Sequence, residues 1–354
     1  MITTFHGKKI SGVLGILPET EYIFDEETKP FATPQTRRLK KIMGFNKRRA
    51  AKSNTTTADF CEYGLQYLID NKKIDVSEIG AIVVVSVTPD YFIPHMSNII
   101  HGNFNFANDV ICMDIAQGCA AHVLGIIQAC MLLEHMENRK VLLFTGDVLC
   151  RKEPKAPMSR PSFGGDAASI TVLENAPDSE KIYTSIYSDG KGRDALIMHA
   201  GGYRMPRTPE TAVLQDIGDG TMAPLNEIWM HGSKVFNFVQ KEVPPMIEEL
   251  LEYSGYSKEQ IDWYLFHQPN RFMVQKLAER LKIPQTKMPC NIVENFGNSS
   301  GSCIPINIAY NLGETLLEKS YDCCLSGFGS GLTWAAAIMK LGYLDFCEYI
   351  VSDL

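Results

Sequence analysis

The chain has 354 residues, 45% of them hydrophobic and 21% charged, with a formal net charge of −7. That length and mixture fit a globular protein of two domains or one large layered unit, and an acidic chain with no basic stripe interleaved with aromatics gives no reason to invoke nucleic acid. No opening stretch has a signal-peptide pattern and no apolar run approaches the roughly 20 residues of a membrane span, while 10 cysteines without a Cys-x-x-Cys pair or a His-x-x-x-His spacing argue against a zinc site or a secreted disulfide framework and fit a reducing cytoplasm.

In chain order, the first local departure from acidity is the stretch 37–52, which holds Arg37, Arg38, Lys40, Lys41, Lys47, Arg48, Arg49 and Lys52 and no acidic residue. It is either a solvated helix face or a mouth that attracts phosphate or an acidic protein partner. Val76-Ser77-Glu-Ile79 then leads into a buried strand ending at Val85, followed by the turn Thr88-Pro89-Asp90. An amphipathic helix is expected next, then a second strand over 109–115.

That second strand stops at Gln117-Gly118, and Cys119 opens an Ala- and Leu-rich helical run reaching about Glu134. A thiol at a helix N-terminus meets unpaired backbone N–H groups and the positive end of the helix dipole, which favour the thiolate. A thiolate held there is a nucleophile for acyl transfer. The competing reading is a buried structural cysteine. Val141 to Gly146 forms a glycine-ended strand, and the segments 150–161 and 189–220, rich in Gly, Pro and charge, read as active-site or capping loops.

The same script returns about 180 residues later. Tyr256-Ser257 starts it, Ile261 to Phe266 is the buried strand, and His267-Gln268-Pro269-Asn270 is the turn. A helix and a strand over 288–293 are expected to follow, then the Gly- and Ser-rich turn Asn295-Phe-Gly-Asn298-Ser-Ser-Gly-Ser302, and finally the glycine-rich strand from Cys323 to Thr333. Helices alternating with short β-branched strands imply α/β layering, and one repetition at this spacing implies two similar halves, 1–175 and 176–354. Packed about a pseudo-two-fold axis, such halves bring Cys119, His267 and Asn298 together. Taken singly, His267 is also consistent with a capping or core histidine, and Asn298 with a left-handed turn position.

On these motifs the chain resembles the β-ketoacyl-acyl-carrier-protein synthase III family of the thiolase superfamily. The strongest are Gly118-Cys119-Ala120, His267-Gln-Pro-Asn270, Phe296-Gly-Asn298-Ser-Ser and Gly327-Phe-Gly-Ser-Gly-Leu-Thr-Trp334; Thr88-Pro-Asp-Tyr91, Phe163-Gly-Gly-Asp166 and His231-Gly-Ser-Lys-Val-Phe236 are weaker. The resemblance covers essentially the whole chain. It implies a thiolase-like fold of two pseudo-duplicated α/β halves, with mixed five-stranded sheets in an αβαβα layering. It also implies a cytoplasmic homodimer of fatty acid biosynthesis, without metal or redox cofactor, whose substrates are coenzyme A or phosphopantetheine thioesters.

Carried onto this sequence, the family's chemistry loads an acyl group from acyl-CoA or acyl carrier protein onto Cys119. The N–H groups of Cys119 and Gly329 bind the oxyanion. His267 and Asn298 then donate hydrogen bonds to malonyl-carrier-protein as it decarboxylates, and the enolate attacks the acyl group to give a 3-oxoacyl product. Coenzyme A or carrier binding falls to Arg151, to Gln268, Pro269, Asn270, Arg271 and Phe272, and to Arg48 and Arg49. The chain departs from the pattern in three places. His122 stands where an aromatic residue is usual, Arg38 stands near the usual Trp, and Phe272 stands where an Arg is expected. These departures put coenzyme A priming in question and leave a carrier-protein donor open.

Three other readings remain. A specialised relative could transfer the acyl group to a non-malonyl acceptor, in secondary metabolism or surface-sugar modification; a non-catalytic subunit would be expected to lack Cys119; and a thiolase would need a second cysteine between Gly327 and Gly331, where the sequence has none.

Overall fold

The computed structural model describes residues 1–29, 32–151, 164–216 and 222–354. Eleven strands build its two large sheets: β1 (Ile2–Phe5), β2 (Lys8–Pro18), β3 (Ile79–Val85), β4 (Ile111–Ile115), β5 (Lys140–Asp147), β6 (Ala167–Asn175), β7 (Ile182–Ser188), β8 (Trp263–Phe266), β9 (Ser320–Gly329), β10 (Thr333–Gly342) and β11 (Phe346–Ser352). The helices that matter for the site are α1 (Thr57–Asp70), α2 (Met96–Asn103), α3 (Ala121–Leu133), α4 (Gly232–Ser254), α5 (Arg271–Leu281), α6 (Ile292–Phe296) and α7 (Cys303–Leu312).

The layering follows from which faces are apolar. Every residue of β3 is buried, as expected of a parallel strand covered on both sides. On one side α1 and α2 pack on the first sheet through Phe60, Leu65, Met96 and Ile100. α1 begins with a capping box in which Thr56 and Asp59 satisfy each other's backbone amides. On the other side α3 and α7 lie between the two sheets, and both are apolar nearly all round because both sheets close on them. Beyond the second sheet, α4 and α5 cover its outer face through Val239, Ile247, Val274 and Leu277. The αβαβα order is therefore present.

Two expectations about the sheets need correction. The second sheet has five strands, in the order β1-β7-β10-β9-β8, but the first has six, β11-β2-β6-β5-β3-β4. The extra strand is β11, which runs parallel to β2 with Phe346 opposite Gly12. Conversely, β1 pairs antiparallel with β7, Ile2 opposite Ser185. Strands β1 and β11 thus each join the sheet built mainly from the other half.

The strand expected over 288–293 is not one; the chain forms a short 3₁₀ turn (Gln285–Lys287) and then α6. Pro289 lacks the N–H that a ladder needs. The buried Gln268 carboxamide substitutes for a strand partner, donating to the Pro289 carbonyl at 2.9 Å and accepting from the Ile292 N–H at 2.9 Å. The segment 189–220, read as loop, carries short 3₁₀ turns and two-residue strand pairs as far as it is described; most of 150–161, and Phe163 of the weaker motif, lie outside the described residues.

Candidate active site

Cys119 stands between the end of β4 and the start of α3. The Asp114 carboxylate at the strand end accepts from the Met96 and Ser97 N–H groups at 2.8 and 3.0 Å, which pins β4 to the start of α2. The Ala121 N–H donates to the Gly118 carbonyl at 2.7 Å, and α3 opens at Ala120 without a side-chain cap. From the second half, the glycine end of β9 presses on this turn. A Cβ on Gly327 would lie 2.6 Å from the Cys119 carbonyl oxygen, and one on Gly329 would lie 2.8 Å from the Cys119 Sγ. Only glycine permits that approach.

His267 follows β8, and its N–H donates to the Ser326 carbonyl at 2.8 Å. Its ring meets Phe328 edge-on at 5.7 Å, and both ring nitrogens are buried without a formed hydrogen bond. A buried polar group without a partner is costly and marks a place where a ligand can supply one. Burial lowers the imidazole to about 3, while the nearby Ser300 backbone weakly favours its protonated form. At neutral pH the ring is therefore uncharged and can offer an N–H.

Asn298 lies in the turn between α6 and α7. Its carbonyl accepts from the Gly165 N–H at 2.9 Å, tying the turn to the first half. Its side-chain Oδ1 accepts from the Ser300 N–H at 3.1 Å, which assigns the amide orientation and leaves Nδ2 as the outward donor. Ser300 links the whole group, since its backbone bears on His267 and on Asn298 and its hydroxyl bears on Cys119.

The expected thiolate is not the resting state. Burial first, and then the negative charge of Asp147, push the Cys119 thiol from 9.0 to about 12, against smaller lowering by the Ser300 hydroxyl and the residue's own backbone. At about 1.4 kcal/mol per tenfold change in proton affinity, enclosure costs the thiolate on the order of 4 kcal/mol. A helix end returns about 0.3–1 kcal/mol, at most ~2. Cys119 retains partial contact with solvent, which limits the penalty without reversing it. His122, one turn into α3, is fully buried, has no partner on either nitrogen and is lowered to about 3 by burial alone. No hydrogen bond joins it to Cys119 among the described residues.

The residues assigned to substrate binding sit further out, and most already have partners. Arg48 forms a two-pronged bond to Glu27 at 2.9 and 2.6 Å and stacks over Tyr22 at 4.6 Å. Arg49 donates to the Pro18 and Glu19 carbonyls, and Lys47 pairs with Glu21 at 2.8 Å. The acidic residues missing from 37–52 are thus supplied by the segment just before it; Arg37, Arg38 and Lys41 remain exposed. Arg151 binds the Lys52 and Thr55 carbonyls, and Arg271 is held by Glu294 and the Lys41 carbonyl. Gln268 is committed to the backbone described above, and Asn270 caps α5 through the Met273 N–H at 2.8 Å. Pro269 lies partly exposed beside them, and Phe272 stacks on Phe236 at 5.6 Å.

Sequence reasoning gave no role to two residues at the centre, Asp147 and Ser300. Ser300 lies inside the motif Phe296-Gly-Asn298-Ser-Ser, and Asp147 directly follows the glycine-ended strand Val141 to Gly146. A carboxylate ending the buried strand β5 was the available signal, because a buried charge demands partners. Among the described residues no cluster of His, Cys, Asp and Glu could hold a metal, and no helix is long and apolar enough to cross a membrane.

Comparison with known proteins identifies relatives of the chain as a whole. The family model for the C-terminal part of 3-oxoacyl-[acyl-carrier-protein (ACP)] synthase III matches residues 251–341. A Campylobacter jejuni protein named as a candidate 3-oxoacyl-[acyl-carrier-protein] synthase 3 is 30% identical, with 96% of each chain covered. The beta-ketoacyl-[acyl-carrier-protein] synthase III of Clostridioides difficile is 28% identical over 93% of this chain and 98% of its own. The crystal structure of a 3-oxoacyl-(acyl-carrier protein) synthase from Burkholderia xenovorans superposes with a TM-score of 0.91 at 28% identity, covering 99% of both chains. Thirty per cent identity across nearly the whole of both chains, together with a thiolase-like fold that aligns from end to end, places this chain in the 3-oxoacyl-[acyl-carrier-protein] synthase III family, and it is a condensing acyltransferase of that type.

Proposed function

We propose that the protein loads an acyl group onto Cys119 from a coenzyme A or carrier-protein thioester and condenses it with malonyl-carrier-protein to give a 3-oxoacyl thioester. The observation that carries this reading is the meeting of Cys119, His267 and Asn298 around Ser300. In the first half-reaction the Cys119 sulfur attacks the thioester carbonyl, and the N–H groups of Cys119 and Gly329 receive the oxyanion. In the second, His267 and the Asn298 Nδ2 hold the malonyl thioester oxygen as carbon dioxide leaves. Both donors are neutral, so they stabilise developing negative charge without trapping the product as an ion pair. The enolate carbon then attacks the acyl carbon, and the Cys119 sulfur departs.

The proposal extends to a cytoplasmic homodimer of fatty acid biosynthesis whose carrier partner approaches the exposed Arg37, Arg38 and Lys41. Intact-protein mass spectrometry after incubation with acyl thioesters, paired with carbon dioxide release from malonyl-carrier-protein, tests both half-reactions. An acyl adduct on Cys119 without any malonyl decarboxylation would replace condensation by transfer to another acceptor, which an amine or hydroxyl acceptor in the same assay would reveal.

A further inference from the structure

The reaction outlined above leaves the buried carboxylate beside the nucleophile without a task. Asp147 ends β5 and is completely buried. Its Oδ1 accepts from the Ser86 hydroxyl at 3.0 Å, the Val87 N–H at 2.9 Å and the Thr88 hydroxyl at 3.1 Å. Its Oδ2 has no formed hydrogen bond. One carboxylate oxygen is thus saturated and the other is held in reserve, in a dry place where an unmet acceptor is expensive.

Ser300 arrives from the second half. Its φ of +49° is a left-handed backbone that a non-glycine residue adopts at a cost, and such strain persists where the surroundings over-determine it. Here the Asn298 Oδ1 holds its amide, and its hydroxyl packs on the turn before the nucleophile, 3.2 Å from where a Cβ on Gly118 would be. The side chain is buried, and its hydroxyl bears both on the Asp147 carboxyl and on the Cys119 thiol. The cluster is therefore Asp147, Ser300 and Cys119, with the hydroxyl in the middle.

The resting thiol is neutral, so acylation needs a base. His267, lowered to about 3, is a weak one. Asp147, raised by burial to about 6 and held from rising further first by Ser300 and then by Val87, Ser86 and Thr88, is ionised at neutral pH and is the stronger. The other titratable groups bearing on the cluster are Cys303, pushed by burial to about 12, and Cys61, pushed higher still.

We propose that Asp147 and Ser300 form a proton relay that deprotonates Cys119 as it is acylated. This rests on the reading of Cys119 as the acyl acceptor. The thiol proton passes to the Ser300 oxygen while the Ser300 proton passes to Asp147 Oδ2. The Cys119 sulfur bonds to the thioester carbon, the bond from that carbon to the pantetheine sulfur breaks, and the departing thiolate recovers the proton along the same path. Asp147 is again a carboxylate, and nothing is consumed but the thioester.

The test is single-turnover acylation, followed by rapid quench and intact mass between pH 5 and 9, for wild type, Asp147→Asn, Ser300→Ala and Ser300→Gly. Asparagine keeps an oxygen for the three Oδ1 donors, and glycine removes the hydroxyl while relieving the left-handed strain, so at least one variant reports even if another fails to fold. The wild-type rate is expected to level off just above pH 6. The variants are expected to acylate about 10²-fold or more slowly at pH 7 and to climb steadily with pH, as a thiol without a base does. Malonyl decarboxylation read in the same variants should fall by much less than acylation does, since the Ser300 amide still holds Asn298; a general structural defect would reduce both alike. Variants that acylate at the wild-type rate with the wild-type pH profile overturn the relay. A wild-type protein that takes up no acyl group from any thioester would instead remove the proposed function, and the relay with it.

Discussion

The two halves handle the strand before the reactive turn in opposite ways. In the first half, β4 is built, pairs parallel with β3 and delivers Cys119 from the stiff edge of a sheet. In the second half the matching residues 288–293 form no strand, and Gln268 satisfies their backbone instead. Freed from a ladder, the chain beyond Phe296 crosses the junction, where Asn298 bridges to Gly164 and its carbonyl takes the Gly165 N–H. Duplication supplies a common framework, and the departure from symmetry lets a donor from one half reach the nucleophile of the other. In the proposed reaction, acyl loading then belongs mainly to the first half and decarboxylation to the second.

The sharpest way to break that division is to remove the nucleophile. Cys119→Ser should abolish condensation, because a hydroxyl there is a far weaker nucleophile. More than a few per cent of residual activity, measured as 3-oxoacyl product, would move the nucleophile elsewhere. Next in size, His267→Ala and Asn298→Ala should each cut malonyl decarboxylation by about 10²–10³ while still allowing Cys119 to be acylated. Failure of either variant to form the acyl-enzyme would erase the division of labour between halves.

A smaller effect separates core from site within the first half. The folded-state pKa of His122 lies below its ordinary 6.5, at about 3, so on acidification the unfolded chain takes up the proton first. The stability that neutral His122 preserves is complete above pH 6.5 and is lost as pH falls from there toward 3, by up to about 1.4 kcal/mol per pH unit. His122→Phe should flatten that limb in denaturant titrations at pH 4 to 7. An unchanged slope would show that the ring finds a proton acceptor when folded. The smallest effect concerns the exposed basic stretch. Arg37→Glu with Arg38→Glu should raise KM for carrier-protein substrates several-fold at low salt and leave kcat unchanged, the difference shrinking at high salt. A salt-independent KM in both proteins would leave the basic stretch a solvated face.

The layered fold was legible because it is written in apolar periodicity. Ile79–Val85, Trp263–Phe266 and the Ala-rich run after Cys119 are continuous enough to mark buried elements, and their recurrence revealed the duplication. What was hidden depends on pairing over long distances. Nothing local in Phe346–Ser352 says that it joins β2, and nothing in 288–293 says that Gln268 will stand in for a strand. The site shows the same split. Cys119, His267 and Asn298 announce themselves through their turns, but the resting state of the thiol is set by enclosure and by Asp147, which no spacing rule reports. Likewise, Arg48 and Arg49 read as a basic mouth until folding brings Glu27 and Glu21 against them.

The exchanged end strands also set the order in which this protein can be made. Ile2 finds its partner at Ser185, and Gly12 waits for Phe346. As the chain leaves the ribosome, the first sheet therefore keeps an open edge along β2 until Phe346–Ser352 has emerged. Contacts of such sequence separation are slow to close, and an open edge invites wrong pairings while it lasts. The sheet that carries Cys119 is complete only once that strand is in place, so a product truncated before Phe346 is expected to be an aggregation hazard rather than a half-active enzyme.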